Sequence, residues 1–368
     1  MREYLLCLVA AAAVTYLTIP LVRVLALRWG AMAGVRDRDV HDTPTPRLGG
    51  LAMAAGLIAG LLLARQLPMM SDVFSGGSRE PVALLSGVVL IVALGMADDR
   101  YELDSATKLA GQVLAAGVMA LQGIAIVWLP FGGAFAPDPV MSVLLTVLVV
   151  VVTINAINFV DGLDGLAAGI VGIAALAFFA YSYLLSVELG FERATLATLV
   201  SACLAGMCAG FLPHNFFPAR LFMGDTGSML IGLLLATSTI TLSGQVDPTA
   251  LEGSIFLPAL LPVLVPVAVI AVPLLDLLLA VVRRTRARRS PFSPDKLHLH
   301  HRLLEMGHSQ RRAVLLLYAW TALIAGTVVA MAFVPVWLAL AVGGVGIGTL
   351  LIAVLRRPWL RWSARQAA

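Results

Sequence analysis

The sequence predicts an all-α polytopic membrane protein of about eleven transmembrane helices, and three observations carry that expectation. Apolar residues make up 60% of the chain and charged residues only 12%, where a soluble domain carries about a quarter of its residues as charges. The apolar residues come in long unbroken runs and not in alternating segments of about ten residues, so the chain crosses hydrocarbon as helices that satisfy their own backbone hydrogen bonds. Five polar motifs rich in Asp, Asn or His interrupt these runs, and span counting puts all five on one side of the bilayer.

Taken in order, the spans are expected at 4–27, 48–66, 80–97, 108–129, 139–157, 163–185, 193–212, 227–245, 254–282, 312–333 and 336–355. The first run, Tyr4 to Leu27, is too long for a signal-peptide core and is followed by Arg28, Arg36 and Arg38, so it is kept as a span. The ninth carries Pro258, Pro262, Pro266 and Pro273, helix breakers that suit it to curve around a lipid-open groove. Little more than Val334 and Pro335 joins the last two. Cys7, Cys203 and Cys208 lie inside apolar stretches with no CxxC spacing, and read as small packing residues. The chain is one membrane domain, 1–368, with a polar cytoplasmic loop at 283–311 too short to fold alone.

Charge orients the bundle. With the N-terminus outside, the odd-numbered loops and the C-terminus hold Arg23, Arg28, Arg36, Arg38, Arg47, Arg100, Lys108, Arg220, the block Arg283 to Arg312, and Arg356 onward. The other side holds only Arg2, Arg65, Arg79 and Arg193. The positive-inside rule makes the odd loops and the C-terminus cytoplasmic in a multi-pass plasma-membrane protein. The pI near 9.2 thus has a topological origin and implies no nucleic-acid partner; homodimerisation stays open.

The loop after the third span reads GMADDRYELDSATKLAGQ. Adjacent Asp98 and Asp99 at a helix end point about 100° apart, so one can face a metal or phosphate while the other acts as base or support; a solvated helix terminus is the plain alternative. After the fifth span, Asn155, Asn158, Asp161 and Asp164 recur every third residue in NAINFVDGLDGLAAG. They drift about 60° per step along a strip, unless Gly162 and Gly165 break the helix and fold the strip inward. Such groups at a membrane boundary are expensive to bury unless they bind something polar, although polar glue in a Gly-rich helix contact is an alternative.

In NFFPARLFMGDTGSMLIG, Asp225 opens a helix at a position where free N–H groups attract phosphate, and where it could equally be an N-cap. SPDKLHLHHRLLEMGHS supplies His298, His300, His301 and Arg302. Phosphate contact is favoured over a zinc site, which lacks a nearby Cys, and over a basic helix on anionic lipid. The first cytoplasmic loop adds His41, Arg47 and Gly49-Gly50, and Asp276 is the one carboxylate well inside a span, functional or paired with Arg283 or Arg284.

Together PRLGG at 46–50, LGMADDR at 94–100, NAINFVDGLDGLAAG at 155–169, FPARLFMGDTGSMLIG at 217–232 and HLHH at 298–301 resemble, in order, the polyprenyl-phosphate N-acetylhexosamine-1-phosphate transferase family (glycosyltransferase 4), and more closely its WecA/TagO-like branch. The muramoyl-pentapeptide transferases of that family carry three consecutive histidines, which Leu299 interrupts here. By resemblance, Asp98 and Asp99 are the catalytic acidic pair, with Asp99 also near the metal. Asp225 is the magnesium ligand, Asp161 and Asp164 lie around the nucleotide-sugar, and the histidines lie near the phosphates. Arg47, Lys108, Asn155, Asn158 and Arg302 complete the substrate-binding candidates. One departure stands out: Asp39 occupies a position where related first loops carry Lys.

The resemblance implies transfer of a HexNAc-1-phosphate, foremost GlcNAc-1-phosphate, from a UDP-sugar to undecaprenyl phosphate with Mg²⁺ or Mn²⁺, releasing UMP, as the first membrane step of a cell-envelope polysaccharide. A one-step displacement positioned by Asp98 is expected, against a covalent aspartyl intermediate. A secondary transporter would also show broken helices and intramembrane Asp, but would place its polar groups near the midplane and not at span ends.

Overall fold

The computed structural model describes residues 1–33, 45–75, 77–129, 135–188, 195–244, 264, 268, 271–286 and 299–355. Among them the fold is helical apart from one two-stranded ribbon and an isolated bridge. The helices are α1 (Arg2–Trp29), α2 (Gly49–Ala64), α3 (Asp72–Ser75), α4 (Glu80–Tyr101), α5 (Ser105–Leu121), α6 (Pro139–Val160), α7 (Leu166–Glu188), α8 (Leu196–Asn215), α9 (Gly224–Gly244), α10 (Ala271–Arg286), α11 (Leu299–Glu305), α12 (Gln310–Ala330) and α13 (Val336–Leu355). Eight of these are long and apolar enough to cross a membrane, and α2 and α5 are shorter apolar helices. These ten match ten of the eleven expected spans in order; most of the ninth, 254–282, lies outside the described residues, which resume as a helix at Ala271.

Local chemistry marks the helix ends. Asp104, Asp138, Thr195 and Ser309 cap α5, α6, α8 and α12, their side-chain oxygens accepting the first free backbone N–H groups. One expected boundary moves. The span placed at 108–129 is a helix only over Ser105–Leu121, because Gly123 adopts φ 119 and the run after it, rich in β-branched residues, is not helical. That run is tied down where Ile126 N–H donates to Thr146 Oγ1 at 2.9 Å and where Leu129 bridges Phe135.

Almost wholly buried, α9 forms the centre of the bundle, packed by α4, α6, α8 and α2. Close approach of helices in lipid relies on small residues, and α8 meets α1 through Gly206 and Gly210. A β-carbon at either would lie 2.2 Å from a carbonyl oxygen of α1, Leu8 or Ala12. A second, smaller core joins Val160, Leu163, Leu166 and Ile170 to Leu303 of α11 and to Ala313, Val314 and Leu317 of α12. The helix bearing His300 and His301 is thereby held at the same end of the bundle as the α6–α7 turn.

Candidate active site

Five helix ends converge here: the starts of α2, α5 and α9 and the ends of α4 and α6. The start of α9 is seated first by backbone. Phe222 N–H donates to Pro46 O at 2.9 Å, Gly49 N–H to Phe222 O at 3.0 Å and Gly50 N–H to Met223 O at 2.9 Å. Side chains are excluded at this seam, since a β-carbon at Gly50 would stand 2.2 Å from Gly227 N and one at Gly95 2.4 Å from Thr226 Cα. The PRLGG and LGMADDR glycines are therefore the walls of a slot that holds the first turn of α9.

Out of that slot projects Asp225. Its Oδ2 accepts from Lys108 Nζ at 3.0 Å, and the same ammonium pairs with Asp98 Oδ2. Asp98 Oδ1 accepts from Leu103 N–H at 2.8 Å, which pins the carboxylate at the α4 terminus. From α6, Asn158 Nδ2 donates to Asp225 Oδ1 and, at 2.9 Å, to Ser228 Oγ. Two carboxylates from different helices thus grip one cation, the Lys108 ammonium.

Asp99 diverges from Asp98 as adjacent helical residues must. Its oxygens accept from Asp225 N–H at 2.8 Å, Thr226 N–H at 3.1 Å and Thr226 Oγ1 at 2.6 Å. This carboxylate, a metal-ligand candidate from the sequence, takes the first donors of α9 as its hydrogen-bond partners.

The Asn/Asp strip is broken, because α6 stops at Val160 and a turn with Gly165 at φ 76 starts α7. Its four members separate. Asn155 lies one turn below Asn158, where it donates to Gln112 Oε1 at 2.6 Å and Val151 O at 2.8 Å. Asp161 remains near the carboxylate group, and burial pushes it up to about 8, helped by the charges of Asp225 and Asp99 and opposed by Arg47. Asp164, buried, accepts Ala219 N–H at 2.8 Å. Beside it Asn215 accepts Gly165 N–H and donates to Leu221 O, each at 3.0 Å, so the α6–α7 turn and the loop leading to Asp225 are stapled together. Tyr318 of α12 donates to Gly165 O, its ring filling the space beside Gly169.

His298, Asp39 and His41 lie outside the described residues, as do the side chains of His300, His301 and Asp276; Arg302 is exposed on α11. Sequence reasoning did not single out Gln112, Asn215, Thr226, Ser228 or Tyr318 as site residues. Asn215, Thr226 and Ser228 lie within the NFFPARLFMGDTGSMLIG motif of Asp225, and Gln112 lies four residues after Lys108 and so on the same helical face; Tyr318 left no such trace.

Among the described residues no three His, Cys, Asp or Glu side chains are grouped as a metal site. The facing Asp98 and Asp225 oxygens nevertheless suit a hard divalent cation that takes few protein ligands and draws the rest from substrate phosphates and water. The donor set fits magnesium or manganese better than any thiolate- or imidazole-seeking metal.

The sequence has counterparts among known proteins. The profile of glycosyl transferase family 4 matches residues 81–243, which span α4 through α9. The chain is 48% identical, over 97% of its length and 90% of the relative, to decaprenyl-phosphate N-acetylglucosaminephosphotransferase of Mycolicibacterium smegmatis. It is 47% identical, over 88% of its length and 81% of the relative, to the Mycobacterium tuberculosis protein of the same name. Identity is 29%, over 87% of the chain and 82% of the relative, with undecaprenyl-phosphate alpha-N-acetylglucosaminyl 1-phosphate transferase of Yersinia pestis. The chain belongs to glycosyl transferase family 4.

Proposed function

We propose that this protein transfers N-acetylglucosamine 1-phosphate from UDP-N-acetylglucosamine to a polyprenyl phosphate, giving the polyprenyl-diphosphate sugar and UMP, at the cytoplasmic face of the plasma membrane. The observation that carries the reading is the pair of carboxylates, Asp98 and Asp225, brought from separate helices onto one cation at the end of an apolar bundle. That end also gathers Arg47 and Lys108, in keeping with a basic cytoplasmic side and a soluble anionic donor.

Charge is the obstacle to the reaction. An acceptor phosphate of about −1.5 to −2 has to approach a diphosphate, and unit charges 4 Å apart repel by roughly 4 kcal/mol at an effective dielectric of 20. A divalent cation held by Asp225 and Asp98 would supply Lewis-acid stabilisation of the diphosphate and of the departing UMP. Lys108 lies between those carboxylates and is placed to turn its ammonium to a phosphate once they have another cation to hold. Asn158 keeps Asp225 oriented. Asp98 positions the acceptor and takes any residual proton, little being needed because the phosphate's second pKa is about 6. An acceptor oxygen then bonds to the sugar-bearing phosphorus while the bond from that phosphorus to the UMP oxygen breaks. Arg47 and Asp161 stand at the donor side, with the His300 and His301 helix nearby.

For the acceptor, decaprenyl phosphate is the first length to test, since the 47–48% identical relatives are named for it and the undecaprenyl form is named for more distant ones. Purified protein given either polyprenyl phosphate and a panel of UDP-sugars should release UMP with UDP-N-acetylglucosamine and Mg²⁺, and not after chelation. Release with no sugar in the panel would overturn the proposal.

A further inference from the structure

We infer that Asp99 is a positioning residue that, with Thr226, clamps the first turn of α9 and so aims Asp225, and that it does not itself touch substrate or cation. The inference rests on the transferase reading only for why the aim of Asp225 matters. Asp99 is 4% exposed. A carboxylate so buried needs compensation, and it finds it in one place: two consecutive N–H groups and a hydroxyl, all from Asp225 and Thr226.

These donors are the free N–H groups of a helix start, where the helix dipole also favours a negative charge. The cap is supplied from another helix, 126 residues away in sequence. Because Oδ1 is bonded to the amide of Asp225 itself, the clamp sets the backbone from which the Asp225 carboxylate projects. The neighbours leave the clamp no slack. A β-carbon at Gly224 would stand 2.4 Å from Asp99 Oδ2, and Gly95 and Gly50 close the slot on either side. Asp98 contrasts with this arrangement: one of its oxygens pairs with the movable Lys108 ammonium. Thr226 is fully buried and its hydroxyl donates to Asp99; this residue is half of the device.

Thr226 gives the test, because it can be changed without touching either carboxylate. Thr226→Val should lower kcat for UMP release by about tenfold, the scale of one lost hydrogen bond to a charged group, with KM for UDP-N-acetylglucosamine little changed. Thr226→Ser, which keeps the hydroxyl, should restore kcat. Asp99→Asn should fall further, and the double variant Asp99→Asn with Thr226→Val should be no worse than Asp99→Asn alone, since both break one unit. Hydrogen–deuterium exchange of the peptide covering Gly224 to Ser228 should quicken in Thr226→Val and Asp99→Asn and stay unchanged in Asp98→Asn. Wild-type kcat in Thr226→Val beside an inactive Asp99→Asn, multiplicative losses in the double variant, or unaltered exchange in Asp99→Asn would each assign Asp99 to the reacting groups. Were wild-type protein to release no UMP at all, the transferase reading would fail, and the exchange measurements would still decide the clamp.

Discussion

Lys108 puts one positive charge between two carboxylates that would otherwise face each other across a half-buried cleft. Removing one partner of such a cluster leaves uncompensated charge, at a cost of about 3 kcal/mol. Lys108→Gln should therefore lower the melting temperature of the chelated protein by several degrees, and millimolar Mg²⁺ should raise it more in the variant than in wild type. Thermal unfolding in detergent with and without Mg²⁺ measures this; indifference of both proteins to Mg²⁺ would count against a cation between Asp98 and Asp225. Asp161 carries a second prediction. Burial holds its carboxyl up at about 8, well above the ordinary carboxylate range of about 4, so the folded protein holds that proton where the unfolded chain has released it. Stability is thus lost as pH rises from about 4 towards 8. Asp161→Asn, neutral throughout, should melt higher than wild type at pH 9 and alike at pH 4, with both proteins chelated. Much of this cluster is legible in sequence, because Asp98, Asn158 and Asp225 sit at span ends that counting puts on one side. The partners are not legible. What gives Asp99 to the start of α9, or Asp164 to Ala219, is a set of hydrogen bonds between residues 55 to 127 positions apart, and no local pattern encodes those.

At the scale of elements, the short side chains of α8 decide how near its neighbours come. Gly206→Leu or Gly210→Leu should push α8 off α1 and reduce the yield of monodisperse protein, whereas Gly117→Ala on α5, with open space around it, should be neutral or slightly stabilising. Size-exclusion profiles and melting temperatures check both. Helix identity was the easy part of the sequence, since long apolar runs admit little else in a membrane. Ends were harder where apolar residues continue past the helix, as at Ile124 to Leu129, where hydropathy persists while Gly123 has already turned the backbone. The turn at Gly162 to Gly165 was anticipated as one of two outcomes, and it is the one found.

For the molecule as a whole, orientation is the outstanding physical claim, and α4 offers a ruler. Ser78 precedes its start and Ser105 follows its end, both exposed, while the native Cys7, Cys203 and Cys208 are buried and give no background. An impermeant maleimide applied to intact cells should label Ser78→Cys and spare Ser105→Cys until the membrane is opened; the reverse pattern would invert the bundle and with it the access of a cytoplasmic donor.

The brevity of α5 bears on where such an enzyme works best. Seventeen residues rise only about 25 Å, short of a hydrocarbon layer of about 30 Å, and its Leu109, Val113, Leu114 and Leu121 are exposed on the bundle's outer surface. A thick membrane either thins around this helix or drags on it, and the helix carries Lys108. Turnover in vesicles of graded acyl-chain length should peak with the shorter chains and decline as they lengthen, making membrane composition a tuning parameter for the setting of the Lys108 ammonium.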